Sequence, residues 1–294
     1  TDEEATPLNC GVATMISVTE AAHIQMGDAV VVQGLGLLGL YGCAIAKARG
    51  ARMVIGLDAV GQRLEMASKF GADETIDVAA MDDDALVEIV RGLCPPDGAD
   101  VAMEVCGVAS VVPVGVRMLR TGGRYMIGGL VNPDANFTID GNEILKKWIT
   151  LRGIHNYHPR HLVQALDFVM ANRSRFPFAD IVDSKFSLEE LDEAFAKAAE
   201  RSVLRAEVLG QAGQAWLRAD QPTRALAALD SALGIDPPNP ELLIDRAQAR
   251  AALNAYWLAI DDLNAAIEYA PSRSDAYAFR AAAYRHLEIL DLAA

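Results

Sequence analysis

A chain of 294 residues has room for two domains of ordinary size, each burying its own core. Its 52% hydrophobic and 22% charged residues are the balance of a soluble globular protein, and no apolar run approaches the roughly 20 residues that cross a bilayer. A formal charge of −14 excludes a polyphosphate backbone as the expected partner, since neutralising phosphates takes clustered Lys and Arg.

The acidic opening "TDEEATPLN" is no signal peptide, and it lacks Met, so a further segment is expected upstream. Cys10, Cys43, Cys94 and Cys106 stand far apart without a CxxC pair. Reduced thiols in the cytoplasm are therefore expected. His23 is expected on the surface of an amphipathic helix. Then "AVVVQ" (29–33), "MVIGL" (53–57), "DVAME" (100–104) and "RYMIGG" (124–129) read as buried strands, being short, apolar and bounded by turn residues. Helical spacing fills 38–49, 60–70, 84–93 and 109–120. This alternation predicts an α/β fold with a doubly wound parallel sheet. Pro159 opens a further helix to about Asn172, and Ser187 with Glu190 forms a capping box for "SLEELDEAFAKAAE".

Gly34, Gly36 and Gly39 form G-x-G-x-x-G between the first strand and the helix after it. The first glycine permits the tight turn, the second lets backbone approach a pyrophosphate, and the third lets helix and strand pack closely. The helix start, at Leu37, Leu38 and Gly39, then offers unpaired N–H groups and a partial positive charge to phosphates. Asp58 lies 24 residues after Gly34, at the end of the next strand, where a carboxylate takes both ribose hydroxyls. A 2′-phosphate would meet like charge there, so NAD is expected over NADP, although Arg63 also reaches toward the ribose.

"HNYHPRH" (155–161) gathers His155, His158, Arg160 and His161. Three readings stay open for it: a metal site, interrupted by Pro159; a polar loop and helix start; or a receptor for an anionic substrate group.

Beyond residue 198 the composition changes. All six lysines precede it, and glycine then becomes scarce while alanine becomes abundant. Ala225, Ala259 and Ala293 are 34 residues apart, as are Pro237 and Pro271, Ala232 and Ala266, and Leu229 and Leu263. A 34-residue period with small residues at helix crossings and Pro closing each unit is the tetratricopeptide signature, so an all-α array of helical hairpins is expected from 206 to 294. Gly213 and Trp216 fit the first helix of the first unit, Ala247 and Arg250 the second, and a third begins near Ser274. Repeat arithmetic puts Gln214, Arg218, Glu241, Ile244 and Gln248 in a groove for a protein partner. No polar capping helix follows, so this end too is expected to be cut.

From Leu8 to about Leu209 the chain resembles the medium-chain, zinc-type alcohol dehydrogenase family. The resemblance rests on "NCGVAT" (9–14), "GDAVVVQGLGLLGL" (27–40), "FGADETIDV" (70–78), "GADVAMEVCG" (98–107) and "LRTGGRYMIGG" (119–129). Within the family, "LRGIHNYHPRHL" (151–162) is most similar to the subgroup found with phosphonate catabolism. The resemblance implies a dinucleotide-binding Rossmann domain with a short hinge over 1–153, its sixth strand at "ITLRG" (149–153), and a return segment of the catalytic domain over 154–205. It implies that Cys10 is the third protein ligand of a catalytic zinc and that Thr14 lies near the nicotinamide. Gly34, Gly36, Gly39, Asp58 and Arg63 match the pyrophosphate and ribose contacts. Val105, Gly128 and the backbone of Ile154, His155 and Asn156 match the nicotinamide wall, and Arg205 matches an arginine that reaches the pyrophosphate.

The implied reaction is zinc-assisted hydride transfer between NAD and a small alcohol or carbonyl substrate. The family's other two zinc ligands, its substrate pocket and its structural zinc lobe belong upstream of Cys10, so this chain alone is expected to bind NAD with little turnover. Family members pair through the edge of the cofactor sheet, which implies a homodimer. The alternatives are a tetratricopeptide scaffold carrying a vestigial nucleotide fold, or two joined gene fragments.

Overall fold

Alternating apolar strands and helices assemble a six-stranded, wholly parallel sheet in the computed structural model, which describes residues 1–131, 135–201 and 205–288. The chain divides into two compact units, Thr1–Asp183 and Ser184–Ala294.

The first unit begins with a short helix α1 (Asp2–Ala5), a π-helical turn (Leu8–Val12) and α2 (Ala13–Ala21). The doubly wound part follows: β1 (Ala29–Gln33), α3 (Leu37–Ala48), β2 (Met53–Asp58), α4 (Gly61–Lys69), β3 (Glu74–Asp77), α5 (Asp83–Leu93), β4 (Ala99–Glu104), α6 (Val111–Met118) and β5 (Leu119–Ile127). Then come α7 (Gly141–Lys147), β6 (Thr150–Gly153) and α8 (Pro159–Asn172). Strand order is β3-β2-β1-β4-β5-β6, so the direction of winding reverses between β1 and β4. In open parallel sheets ligands bind outside the carboxyl ends of the strands at that reversal.

Period-two alternation assigns the strand residues to two cores. Val30, Val32, Val54, Val101 and Met103 meet α2, α3 and α8 on one face. Ala29, Val31, Ile55, Leu57 and Ala102 meet α5 and α6 on the other, as does Ala99, where a register shift between Ala99 and Val101 breaks the alternation. Both faces are covered, which is why β1 reads as an unbroken apolar run.

Three local features depart from the sequence expectations. β3, "ETID", was not foreseen as a strand: it is a polar edge strand, largely outside the cores, and carries no apolar alternation. α7 is only seven residues long and is started by Asp140, whose side chain accepts from the Asn142 N–H. His23 is not helical: it follows α2 with φ 49, and its carbonyl accepts from Arg124 at 2.6 Å.

The second unit holds α9 (Leu191–Arg201), α10 (Arg205–Arg218), α11 (Pro222–Leu233), α12 (Pro240–Ala252), α13 (Tyr256–Tyr269) and α14 (Ser274–His286). Glu190 accepts from the Ser187 N–H at 2.9 Å, closing the box that leads into α9. Small residues bring the helices close. A Cβ on Gly213 would stand 2.5 Å from Leu229, and one on Gly210 2.6 Å from Leu242. The period-34 residues Ala225, Ala232, Ala259 and Ala266 are all fully buried. Helix α9 belongs with the repeats: Asp192 accepts from Trp216 Nε1 at 2.7 Å and from Arg224 at 2.9 Å, while Arg224 lies 3.7 Å over the Trp216 ring. Ile244, placed in the groove by repeat arithmetic, is 2% exposed and part of the core, because α12 packs against α10 and α11 on one side and α13 and α14 on the other. The repeat alanine Ala293 lies outside the described residues.

Candidate functional site

Gly34 leaves β1 with φ +95, a conformation that side chains rarely adopt, and its N–H donates to Leu57 O at 2.8 Å. A Cβ there would lie 2.5 Å from Cys106 Cβ, so the turn packs directly on the segment after β4. A Cβ on Gly39 would collide with the carbonyl oxygen of Gly34. Gly36 is different. Its φ is an ordinary −68, and a Cβ on it would meet nothing within 4 Å. It caps α3 without a side-chain bond, leaving the first-turn amides of Leu37, Leu38 and Gly39 without a helical acceptor. The outcome is open space at Gly36, beside N–H groups carrying the helix's partial positive charge, an arrangement that suits an anion.

Asp58 ends β2 with 8% exposure. One carboxylate oxygen accepts from the Leu35 N–H at 2.7 Å, the other from the Val60 N–H at 3.0 Å, and Arg63 stands 3.6 Å away with its side chain 44% exposed. The acid therefore faces the glycine turn and also braces it.

Beyond the reversal, the segments after β4, β5 and β6 are each pinned to a neighbouring strand end. Val105 N–H donates to Gln33 O at 3.0 Å, Gly128 N–H to Glu104 O at 2.9 Å, and Ile154 N–H to Ile127 O at 2.9 Å. His155 and Asn156 follow, both exposed, Asn156 with φ 60. Sequence reasoning missed Glu104. It is fully buried, and its carboxylate accepts from Cys106 N–H at 2.8 Å, Gly107 N–H at 2.6 Å and Gly129 N–H at 3.0 Å. The signal was a second acid closing β4 ahead of a glycine.

The π-helical turn carries Cys10, exposed, and α2 carries Thr14, buried. A Cβ on Gly11 would meet Leu37 at 3.0 Å, which sets this turn against the start of α3, and Asn9 accepts from the Tyr157 hydroxyl at 2.6 Å. Arg205 opens α10 in the second unit. Among the described residues no three His, Cys, Asp or Glu side chains come together as a metal site. A catalytic zinc takes three protein ligands, so Cys10 with its present neighbours does not fit that ion.

The "HNYHPRH" stretch forms a helix start. His158 Nδ1 accepts from the Arg160 N–H at 3.3 Å, and His161 Nδ1 accepts from the His158 N–H at 3.1 Å. His161 is buried with Nε2 3.4 Å from Glu20, and Arg160 pairs with the same Glu20. The thiols elsewhere are quiet. Burial pushes Cys43 up to about 12 and also raises Cys94.

Residues 38–171 match the family described as zinc-binding dehydrogenase, and residues 213–283 match the tetratricopeptide repeat. Residues 38–171 thus carry a domain similar to that of the zinc-binding dehydrogenases. The chain is 31% identical over 193 residues to 5-exo-hydroxycamphor dehydrogenase of Pseudomonas putida, covering 65% of this chain and 54% of that protein. Among solved structures it is similar to an alcohol dehydrogenase from Thermotoga maritima, with a TM-score of 0.60 and 27% identity over 63% of this chain and 51% of that one. It is also similar to a zinc-binding dehydrogenase from Sinorhizobium meliloti bound to NADP, with a TM-score of 0.53 and 25% identity over 57% and 48% of the two chains. The dehydrogenase part thus spans about half the length of the relatives it matches.

Proposed function

We propose that the dehydrogenase unit binds NAD, in an enzyme transferring hydride between that cofactor and a small alcohol or carbonyl substrate. The observation that carries this reading is the vacant space over Gly36, in front of the uncapped start of α3. When bound, the dinucleotide accepts or gives the hydride. Gly34, Gly36, Leu37, Leu38 and Gly39 hold its diphosphate by backbone. Asp58 takes the adenosine ribose, with Arg63 alongside. Val105, Gly128, His155 and Asn156 supply the backbone wall for the nicotinamide, and Thr14 lies at that end. The Asp58 charge supports NAD over NADP. No step is assigned to zinc, since Cys10 is a single ligand, and turnover by these residues alone is expected to be slight.

The test is titration of NADH into wild-type protein and Gly36→Val. A side chain there fits the free structure, so the variant should melt with the wild type and bind NADH at least about tenfold more weakly, a difference of about 1.4 kcal/mol. Equal affinities would sink the reading.

The repeats support a second role, docking of a protein partner. An apolar hollow of about 290 Å³ lies between α12, α13 and α14, lined by Ala247, Ala259, Phe279 and Ala283 among others. Homodimer formation through the sheet edge at β6 is supported by Trp148, 76% exposed next to that strand. Two buried free thiols and the lack, among the described residues, of any helix long and apolar enough to cross a membrane support a cytoplasmic setting.

A further inference from the structure

We propose that Glu104 is a positioning residue for the nicotinamide half of the crevice, its carboxylate holding two backbone segments together as a single wall. The inference rests on the cofactor reading above. Glu104 ends β4 at the point where the winding reverses, and it is wholly buried. All three N–H groups bonded to its carboxylate belong to segments beyond the sheet: Cys106 and Gly107 after β4, and Gly129 after β5. Its main-chain carbonyl adds a fourth tie, accepting from Gly128 at 2.9 Å.

Burying a carboxylate at a strand end is costly unless its oxygens are used. Here they are used on the crevice wall alone. The fit is close: a Cβ on Gly129 would stand 2.5 Å from Glu104 Oε1 and 2.7 Å from the Gly107 nitrogen, so only glycine lets the two segments share one carboxylate. Two acids thereby flank β1, on the neighbouring strands β2 and β4. Asp58 braces the turn that receives the diphosphate, and Glu104 braces the wall that receives the ring.

The division predicts a selective defect. Adenosine diphosphate ribose carries both phosphates and both riboses of NADH without the nicotinamide. In Glu104→Gln the new amide brings N–H against N–H, so NADH binding should weaken about tenfold while adenosine diphosphate ribose binds as it does to wild type. Equal loss of both ligands, or undiminished NADH binding by the folded variant, overturns the proposal. Wild-type protein supplies a test that does not depend on the variant's folding. Hydrogen exchange in 105–109 and 128–131 should slow more with NADH than with adenosine diphosphate ribose, and equal slowing overturns the proposal. Wild-type protein that binds neither ligand overturns the cofactor reading and this inference with it.

Discussion

Gly36 and Gly39 are three residues apart and are constrained for opposite reasons. A methyl on Gly39 strikes the Gly34 carbonyl, a backbone atom that cannot rotate away, so Gly39→Ala should destabilise the first unit by about 1–3 kcal/mol, measured by urea unfolding. Gly36 is open, and its substitution should cost affinity without stability. Asp58 combines the two effects. Asp58→Ala strips acceptors from the Leu35 and Val60 amides, and it should lower stability by about 2 kcal/mol in addition to weakening NADH binding. A variant that loses affinity with an unchanged urea midpoint would show that the carboxylate does not brace the turn. Thiol labelling gives a residue-level check on the crevice. Cys10 and Cys106 are exposed, and Cys106 packs on the Gly34 turn, whereas Cys43 is buried and its thiol is pushed up to about 12. At pH 8 a maleimide should modify Cys10 first and Cys106 more slowly, since burial pushes the Cys106 thiol up to about 11, and NADH should protect Cys106; labelling of Cys43 as fast as Cys10 would contradict the packing of α3.

Among the helices, α12 carries Asp245, buried beside Gln214, whose amide donates to it at 2.9 Å. Burial raises its pKa, and nearby Glu241 adds to this against the lowering by Gln214, Arg273 and Arg218. A carboxyl with a raised folded-state pKa binds its proton more tightly when folded, so it favours the folded state at low pH and loses that advantage as pH rises through the folded value. Ionised Asp245 is therefore a burden near neutrality. Asp245→Asn, which keeps an acceptor for Gln214, should raise the melting temperature of the second unit at pH 7 and change it little below the ordinary carboxylate range. A lower melting temperature at pH 7 would mean that the charge is needed by the Arg neighbours. The elements themselves were legible to different degrees. The buried strands β1, β2 and β4 and the helices between them stood out because both faces of the sheet are covered, making each strand an apolar block. β3 did not, since an edge strand of "ETID" is defined by pairing with β2 and not by its own pattern. Ile244 was misplaced because a repeat period locates a residue along a helix but does not tell how many neighbours flank that helix.

Over the whole molecule the exposed edge of the sheet makes a prediction about assembly. An unpaired strand beside a protruding aromatic side chain is an association surface. In light scattering the protein should run at about twice its 31.5 kDa, and Trp148→Asp should halve that mass. A wild-type mass of one chain would remove the dimer reading.

The order of strands and helices, the glycine spacing and the 34-residue repeat are properties of near neighbours along the chain, and the sequence determined them unaided. That is why Gly34, Gly36, Gly39 and Asp58 stand out in the amino-acid sequence alone. What only the tertiary structure decided are relations between residues far apart in sequence: the Glu104 carboxylate reaching the amide of Gly129, Glu20 drawing Arg160 and His161 into a helix start, and α9 packing against Trp216. Hydrogen bonds and ion pairs act over a few ångströms and leave no periodic trace in the chain, so such partners become visible only when the fold brings them together.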